Sequence, residues 1–549
     1  MDYFYSETLN IENINGIHFL QDHKGTNYKS PWNDFGFIIT FKVFYVNNKE
    51  KRDVGFCKIL AKNYENTSLY FKEKESNEKT VNINDKLNDI SSVVSLGQDL
   101  DFYKKINSIF SQDDAEDILE CICDAGFHVG KYDDYSTWDG FLESVMRGSA
   151  SAALLRKGYQ IALGNYSPEK EFTITVPQLE ESFDSIEFKF DTNRTIGKNN
   201  INILIGKNGT GKSHILKKLS ETITGVIKSD ENHPFFHKLI IVAFSPFESF
   251  YTESEIFNLL EEKHSKKSIN NNKSLYRKRL HVNAYSYIGF KNEKGQHDLS
   301  HPISESARSI EKIIKYDKEN SWWAEKTRFQ VLIDTLSLCI DFDSVSLECM
   351  DGSIVEIPSN QPYLRKTLNK INYSKGIFFK KDGVVIPLSS GQIIYSYMIP
   401  AIIAELEEES LLVLDEPELY LHPELEVGIV NMLQYILNET QSYAIIATHS
   451  AIITREIDRE AVQILRKNNG ITTTNITTVQ TYGESLDVII SDVFDDFKIK
   501  KPYQSEIKKY LSNQHSISSL NNYIGNDGLV YALSLAEDEN FISFEDEDD

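Results

Sequence analysis

The chain has 549 residues, of which 40% are hydrophobic and 26% are charged, a composition that excludes disorder as the dominant state. At about 150 residues per domain, this length predicts about three or four domains, or fewer domains with large insertions. The formal net charge of −24 excludes a protein that coats nucleic acid or anionic membranes through its overall field, so any such contact must come from a local basic patch.

The predicted elements of the N-terminal part form a β lobe with a helical insertion. The run 35–46 alternates enough to predict a strand, and 54–62 predicts its partner. Residues 84–165 are expected to be mostly helical. Strands then return at 171–176 and 186–190.

Short apolar runs predict buried strands in the rest of the chain, and they alternate with predicted helices. The strands are expected at 202–205, 239–244, 411–414 and 444–447, and the helices at 214–219, 307–314 and 393–409. Pro400 lies inside the last helix and is expected to kink it. Alternating strands and helices of this kind indicate an α/β fold.

Changes in composition along the chain predict five parts. These are an N-terminal β lobe with a helical insertion (1–180), the first half of a central α/β domain (181–250), an inserted basic and helical lobe (251–375), the second half of the central domain (376–490) and a C-terminal extension with an acidic tail (491–549). The acidic end of the tail is expected to be solvated.

The strongest motif lies between a predicted strand and a predicted helix. Residues 206–213 read GKNGTGKS and match GxxxxGK[ST] in full. Glycines let the backbone wrap around phosphates, and the N–H groups at the helix end form an anion cradle. Lys212 is expected to reach the β- and γ-phosphates of ATP, and Ser213 to ligate Mg²⁺. The expected nucleotide-binding residues of this phosphate loop are Gly206, Asn208, Gly209, Thr210, Gly211, Lys212 and Ser213.

An acidic pair follows the strand predicted at 411–414. Asp415 ends a buried strand, where a carboxylate is costly unless a cation or hydrogen bonds meet it, so we expect it to hold Mg²⁺. Glu416 comes next and is expected to orient or deprotonate an attacking water. The alternative is an acidic cap of the next turn, which the phosphate loop in the same chain makes the weaker interpretation.

Two more segments bear on the site. Residues 388–392 (LSSGQ) open a predicted helix, where a Ser/Gly pair supplies an N-cap and exposed N–H groups. A capped helix without a ligand is the alternative interpretation. His449 follows a predicted strand, and it is either a structural residue or a contact to a γ-phosphate.

The order of these four segments resembles the ABC-type ATPases, which carry a phosphate loop, an LSGGQ-like signature, an Asp-Glu box and a switch histidine. Here the signature reads LSSGQ, one glycine short. The resemblance implies an ABC-type P-loop head and a dimer that sandwiches ATP and Mg²⁺, with Ser390 and Gly391 acting in trans. It adds Ser389 and Gln392 to the nucleotide-binding residues, and it implies that Glu416, His449 and Lys212 act in catalysis.

The sequence GxNGxGKS around Asn208 and the sequence DEPELYLHP (415–423) are similar to the RecF/SMC/OLD-like branch of that family, which acts on DNA or guards against phage. The layout looks like the ATPase subunit of Septu-type antiphage systems, including retron-associated versions. That resemblance implies a separate HNH nuclease as partner and, in retron-linked versions, a reverse transcriptase with its RNA–DNA product. Asp492, Asp495 and Asp496 lie in a helix-like context that favours a solvated face over a nuclease centre.

The sequence departs from the ABC-type pattern after the strand predicted at 239–244. Members of the family carry a glutamine in the loop that follows, whereas this chain continues Ser245-Pro246-Phe247. Either another group ligates through water, or the inserted lobe is coupled to Mg²⁺ differently.

Two basic runs reverse the sign of the overall charge locally. The first contains Lys263, Lys266, Lys267, Lys273, Arg277, Lys278 and Arg279, and the second Arg365, Lys366, Lys370, Lys375, Lys380 and Lys381. Such runs are typical of a phosphate-backbone track on nucleic acid. A solvated loop is the alternative.

The cysteines and the N-terminus predict a cytoplasmic protein without membrane segments. The cysteine count is odd and no CxxC pair occurs, so small buried side chains are expected rather than disulfides or zinc ligands. No basic segment followed by an apolar one opens the chain, and no apolar run approaches the roughly 20 residues that span a bilayer. The cysteines are Cys57, Cys121, Cys123, Cys339 and Cys349.

The sequence therefore favours an ATP-hydrolysing subunit of an antiphage complex that controls a nuclease partner. A DNA-repair or chromosome-handling clamp that closes on DNA is the first alternative. A scaffold that binds ATP without hydrolysing it is the second, and the Asp-Glu pair argues against it.

Overall fold

The computed structural model divides the chain into two compact units, Met1–Tyr482 and Gly483–Asp549. Each unit is described by itself. The structure describes residues 1–538 apart from 27–28, 34–35, 73–78, 148–150, 152–153, 167–169, 177–182, 198, 228–235, 257, 260–284, 321–326, 359–369, 469–470, 495–500, 513–516 and 521–522.

The N-terminal lobe is built on a six-stranded sheet of order β5-β1-β2-β3-β4-β6, in which only β1 and β2 pair in parallel. The predicted pairing of the strands at 35–46 and 54–62 is confirmed, because β3 and β4 are antiparallel neighbours. The strands are β1 (Tyr3–Ser6), β2 (Gly16–Gln21), β3 (Thr40–Asn47), β4 (Glu50–Ala61), β5 (Thr80–Asn82) and β6 (Val93–Gly97).

The segment 84–165 contains an edge strand of this sheet as well as helices, which corrects the expectation of a mostly helical insertion. All five residues of β6 are buried. In so short a buried run, the spacing of apolar residues does not distinguish a strand from a turn of a buried helix. The helices that pack beside the sheet are short: α1 (Thr67–Lys72), α2 (Leu100–Ile109), α3 (Gln112–Cys121), α4 (Tyr132–Tyr135) and α5 (Tyr159–Ala162).

A second sheet of seven strands forms the centre of the first unit, in the order β11-β10-β16-β17-β9-β18-β19. Every neighbouring pair is parallel except β18 with β19. Its strands are β9 (Ile201–Gly206), β10 (Leu239–Ala243), β11 (Tyr285–Gly289), β16 (Leu411–Asp415), β17 (Tyr443–Thr448), β18 (Val462–Asn468) and β19 (Ile471–Ile476).

The two-stranded sheet of β7 (Glu171–Val176) and β8 (Ile186–Asp191) packs on the central sheet. Phe188 belongs to the same buried cluster as Leu204 of β9 and Ile215, which lies on the helix after the phosphate loop. The two strands have the bounds that the sequence predicts to within one residue. The five-part division of the chain stays a prediction.

The inserted lobe contains two helices, one of which includes the helix predicted at 307–314. It also contains a small antiparallel sheet, which the sequence did not predict. The sheet has the order β13-β12-β14-β15, with β12 (Ser344–Glu348), β13 (Ile354–Pro358), β14 (Ile377–Lys381) and β15 (Val384–Val385). The helices of the first unit from the phosphate loop onwards are α6 (Lys212–Ile223), α7 (His301–Asn320), α8 (Arg328–Leu336), α9 (Ser390–Glu405), α10 (Pro423–Glu439) and α11 (Ala451–Arg455).

This arrangement confirms the predicted fold class, an α/β P-loop head with an N-terminal β lobe and a lobe inserted between the phosphate loop and the helix that starts at Ser390. Pro400 lies inside α9 as expected. Among the helices of the described residues, none is both long and apolar enough to cross a membrane.

An acidic loop joins α9 to β16 and ties the N-terminal lobe to the central sheet. Glu408 pairs with Lys104 of α2, and Glu409 accepts from Lys157 and from the Tyr166 hydroxyl. We call residues 405–409 the acidic loop; it begins at Glu405, the last residue of α9.

The second unit contains the helices α12 (Leu486–Asp492), α13 (Pro502–Ser512) and α14 (Asn526–Asp538). Ile507, Leu520 and Ala532 form its small buried cluster. Asp492 ends α12, while Asp495, Asp496 and the acidic end of the tail lie outside the described residues.

A buried network holds the N-terminal lobe together behind β6. The Tyr103 hydroxyl donates to Asp124 Oδ2 at 2.6 Å and accepts from the Gly97 N–H at 3.0 Å. The other Asp124 oxygen accepts from the N–H groups of Gly126 and Phe127. Burial raises the pKa of Asp124 to about 6, so its hydrogen bonds offset a substantial desolvation cost.

We predict that Tyr103→Phe destabilises this lobe by about 1–3 kcal/mol, because it leaves the buried Asp124 oxygen and the Gly97 N–H without their partner. Urea unfolding followed through Trp138, which is buried in the same cluster, measures the change. Tyr45→Phe is the matched control, since the Tyr45 hydroxyl makes no hydrogen bond within the described part of the chain. Equal stability of the two variants would contradict the prediction.

Candidate nucleotide-binding site

The phosphate loop (206–213) connects β9 to α6, in the strand–loop–helix context that the sequence predicts. Gly211 precedes α6 with φ +96°, and Gly209 has φ +80° with open space where a Cβ would stand. A Cβ on Gly206 would come within 2.6 Å of the Thr210 hydroxyl oxygen. The loop is therefore compact on its inner side and open on its outer side, as a phosphate cradle requires.

The order of the strands brings the loop next to the acidic pair and the histidine. In the sheet, β17 lies between β16 and β9, with Asp415 opposite Ala447 and Thr448 opposite Ile205. The carboxyl ends of these three parallel strands therefore meet at one edge. Residues from three distant parts of the sequence come within hydrogen-bond reach there.

Lys212 is the cationic centre of this edge and is nearly fully buried. Its Nζ donates to the Gly206 carbonyl at 3.1 Å and lies 2.5 Å from His449 Nε2 and 3.5 Å from Glu416 Oε1. Burial lowers the pKa of Lys212, and the neighbouring carboxylates oppose that shift. Groups of the chain itself thus occupy the position where phosphate oxygens would meet the ammonium.

Ser213 and Asp415 form a pair of hard oxygen ligands beside the lysine. The Ser213 hydroxyl donates to Asp415 Oδ1 at 3.1 Å. Asp415 is buried, and this burial raises the pKa of its carboxyl to about 6. A buried carboxylate that has one neutral donor among the described residues suits a divalent cation, and Mg²⁺ prefers such oxygen donors. The residues present therefore fit Mg²⁺.

Glu416 turns sharply away from the strand that carries Asp415. Its φ is +49°, a left-handed conformation that is strained for a residue with a side chain. Its N–H donates to the Ala447 carbonyl at 2.9 Å, which holds the turn. The turn places Glu416 Oε1 3.1 Å from His449 Nε2, and the hydrogen bond with His449 lowers the pKa of Glu416.

His449 Nε2 is shared between two partners. A single ring nitrogen can accept from Lys212 or donate to Glu416, but it cannot do both at once, so the two contacts require different positions of the ring proton. The side chain is one-third exposed. The imidazole therefore lies beside the lysine of the phosphate loop, and its expected contact with a γ-phosphate stays a prediction.

The loop that carries His449 is anchored by glutamates that sequence reasoning missed. Glu418 Oε1 accepts from the Thr448 hydroxyl at 2.7 Å and from the His449 N–H at 2.6 Å. Glu426, on α10, accepts from the Ser450 hydroxyl. The recurring glutamates of DEPELYLHPELE were a signal for these contacts, but only the strand order shows what they face.

Phe183 is a second residue that sequence reasoning missed. Its ring lies against the phosphate loop, 2.8 Å from the position of a Cβ on Gly211, and 5.7 Å from the His214 ring. Phe183 also bridges to Thr472 of β19. A half-buried aromatic ring beside a phosphate cradle offers a surface on which a base can stack.

The signature segment (388–392) stands apart from this cluster. Ser389 caps α9, and Gln392 closes a capping box through its own side chain. The Gln392 amide also donates to the Cys339 carbonyl at 2.6 Å. Within the described residues, no hydrogen bond or ion pair joins Ser389, Ser390, Gly391 or Gln392 to the phosphate loop. The nucleotide-binding role expected for these four residues stays a prediction, and the Gln392 side chain is already engaged.

The loop after β10 offers no direct substitute for the missing glutamine. Its carboxylate, Glu248, is buried and accepts from the Tyr287 hydroxyl at 2.9 Å. Lys291 pairs with the same oxygen at 3.2 Å. Phe247, by contrast, is fully exposed.

The structure tests the basic runs only in part. Every residue of the first run, from Lys263 to Arg279, lies outside the described residues. In the second run, Lys375, Lys380 and Lys381 each pair with a carboxylate of the inserted lobe. This pairing favours a structural role for that part of the second run.

Comparisons with known proteins give one match to a protein family and one to an individual protein. Residues 227–455 match the family described as "AAA domain, putative AbiEii toxin, Type IV TA system". The chain is also 24% identical over 550 residues to "Protein ea59" of Escherichia phage lambda, and the match covers 94% of this chain and 95% of the phage protein.

The solved structures that match include an ATP-binding cassette and an SMC head domain. The ADP conformation of MJ1267, an ATP-binding cassette of an ABC transporter, is 16% identical with a TM-score of 0.28, and the match covers 60% of this chain and all of that chain. The SMC head domain from Thermotoga maritima is 14% identical with a TM-score of 0.28, and the match covers 57% of this chain and all of that chain. Such low TM-scores carry no weight by themselves, so the fold assignment rests on the strand order and the site.

We predict that Gly391→Ala destabilises the start of α9 by about 1–3 kcal/mol, because the new Cβ would lie 2.5 Å from the Tyr420 carbonyl oxygen and would force the backbone apart. The midpoint of thermal unfolding measures the effect. Ser390→Ala, at an exposed neighbouring position, is the control and should change the midpoint little. A Gly391 variant as stable as that control would contradict the prediction.

Proposed function

We propose that this protein is an Mg²⁺-dependent ATPase of the ABC type. One observation carries the proposal: Lys212, Ser213, Asp415, Glu416 and His449 converge at one edge of the central sheet. A phosphate loop alone would support nucleotide binding. The additional carboxylate next to a histidine supports hydrolysis.

Each residue has a role that follows from its position. Lys212 exchanges its contacts with Glu416 and His449 for phosphate oxygens when ATP binds. Glu416, released from the lysine, orients or deprotonates the attacking water. Phe183 offers its ring to the base.

Ser213 and Asp415 would hold Mg²⁺. When bound, such an ion would supply positive charge that offsets the negative charge developing during phosphoryl transfer. Asp415 in turn gains the cationic partner that its burial demands.

A second copy of the chain completes the site in this proposal. Ser390 is exposed at the first turn of α9 and has no hydrogen bond to the phosphate loop of its own chain within the described residues. The N-terminal end of a helix attracts anions. A partner's signature segment opposite the phosphate loop would therefore cover the γ-phosphate.

We further propose that the ATPase serves a phage-related conflict system and controls a separate HNH nuclease, with a reverse transcriptase and its RNA–DNA product as further candidates. The phage lambda relative and the toxin-related family description support the phage-related role, while the nuclease and the reverse transcriptase rest on the resemblance of the sequence to Septu-type systems. A clamp that closes on DNA is the competing function.

We predict that Glu416→Gln lowers the rate of ATP hydrolysis by about 10²–10⁴-fold, the usual contribution of a general base, while the dissociation constant for ATP stays close to that of the wild type. Phosphate release measures the first quantity and equilibrium binding of ATP the second. Unchanged turnover would remove Glu416 as the base.

Lys212→Ala is the contrasting variant. It removes the cation that meets the phosphates, so ATP binding itself should be lost. ATP should convert the Glu416→Gln protein into dimers, measured by light scattering, and should leave the Lys212→Ala protein unchanged. A Glu416→Gln protein that binds ATP and remains monomeric would contradict the sandwich.

We predict that the chain, tagged in its native host, co-purifies with a small HNH nuclease. Stable loading on DNA without a nuclease would favour the clamp. If about six phosphates are contacted in that case, the log–log slope of DNA affinity against salt should lie near −4 to −5. A nuclease-free protein with a flat salt response would contradict both versions.

A further inference from the structure

Hydrogen bonds join the segment that contains Glu416 and Glu418 to the end of β17 and the loop that follows it. The Glu416 N–H donates to the Ala447 carbonyl, and Glu418 accepts from both Thr448 and the His449 N–H. We call residues 448–450 the switch loop. Its central residue is His449, whose imidazole contacts Lys212 and Glu416.

Glu418 is a half-buried residue whose carboxylate forms no ion pair in the described part of the chain. One oxygen takes both donors from the switch loop, and the other, Oε2, is buried without a hydrogen-bond partner. Burial raises the pKa of this carboxyl. A buried carboxyl of this kind costs stability, which points to a role other than stabilising the fold.

The two bonds to Glu418 determine where the imidazole can lie. One fixes the peptide N–H of His449 itself, and the other fixes the side chain of the preceding residue. The Thr448 hydroxyl in turn accepts from the Ser450 N–H at 2.9 Å. The backbone on both sides of His449 is thus held, directly or through the Thr448 hydroxyl, by a single oxygen of Glu418.

We propose that Glu418 is a positioning residue: it holds the switch loop so that the His449 imidazole stays within reach of Lys212 and Glu416. This role rests on the proposed ATPase function, because it matters only if His449 contributes to turnover. Glu418 itself contacts neither the phosphate loop nor a proposed Mg²⁺ ligand through a hydrogen bond in the described residues.

Two substitutions of Glu418 distinguish the effect of side-chain length from the effect of charge. Glu418→Gln keeps the length and an oxygen that accepts both hydrogen bonds, but it removes the charge. Glu418→Asp keeps the charge but is one methylene shorter, so its oxygen falls short of Thr448 and the His449 N–H. Positioning predicts that the Gln variant resembles the wild type and that the Asp variant does not.

The first measurement is steady-state hydrolysis together with ATP binding. We expect Glu418→Asp to lower kcat about 10- to 100-fold, as loss of an orienting contact typically does, with the dissociation constant for ATP within about twofold of the wild type. Glu424→Gln, a charge change at an exposed position of the same segment, is the control. A Gln variant as slow as the Asp variant would overturn positioning in favour of a role for the charge.

The second measurement needs no nucleotide. Hydrogen exchange of the His449 amide in the nucleotide-free protein should be slow in the wild type and in Glu418→Gln, and fast in Glu418→Asp. Equal protection in all three proteins would overturn the proposal, even if turnover changed. This measurement also remains valid if the Asp variant is less stable, since exchange of β16 amides reports unfolding separately.

The third measurement asks whether Glu418 acts through His449. In a His449→Ala background, Glu418→Asp should lower kcat by no more than about twofold further, because coupled residues are not additive. Additive losses would overturn the proposal. A wild type without Mg²⁺-dependent hydrolysis would instead refute the proposed ATPase function, and the exchange measurement would still stand.

Discussion

The parallel register of β16, β17 and β9 is the constraint on which the site depends. Three strands that are far apart in sequence end at one edge, and each delivers a different chemistry there: carboxylates, an imidazole and a phosphate loop. A shift of one strand by a residue would turn the side chains of that strand to the opposite face and would displace the group that it carries from the other two. The apolar residues that bury these strands therefore also fix the geometry of the site.

Electrostatic compensation differs between the two charged groups at this edge. Lys212 lies between a carboxylate and an imidazole, while among the described side chains the buried Asp415 accepts a hydrogen bond only from the Ser213 hydroxyl. Under the proposed function, a divalent cation would give Asp415 a cationic partner, and the phosphates would take over the contacts that Glu416 and His449 make with Lys212.

The sequence predicted the parts whose signals are local, and it missed those that depend on distant contacts. The strands around residues 202–205, 411–414 and 444–447 were found because each is a short apolar run beside a motif. The strand β6 was missed because a five-residue apolar run looks alike in a strand and in a helix. The antiparallel sheet of the inserted lobe and the position of Phe183 follow from pairing and packing across many residues, which local periodicity does not encode. Glu418 looks like a solvated residue until β17 is placed beside it.

The acidic loop at 405–409 gives the protein a mechanical linkage. It continues the helix that begins at Ser390, and two lysines of the N-terminal lobe form ion pairs with its carboxylates. If that helix were to rotate, the N-terminal lobe would move with it only while these ion pairs remained intact. A few charged contacts would then determine whether the rotation reaches the lobe.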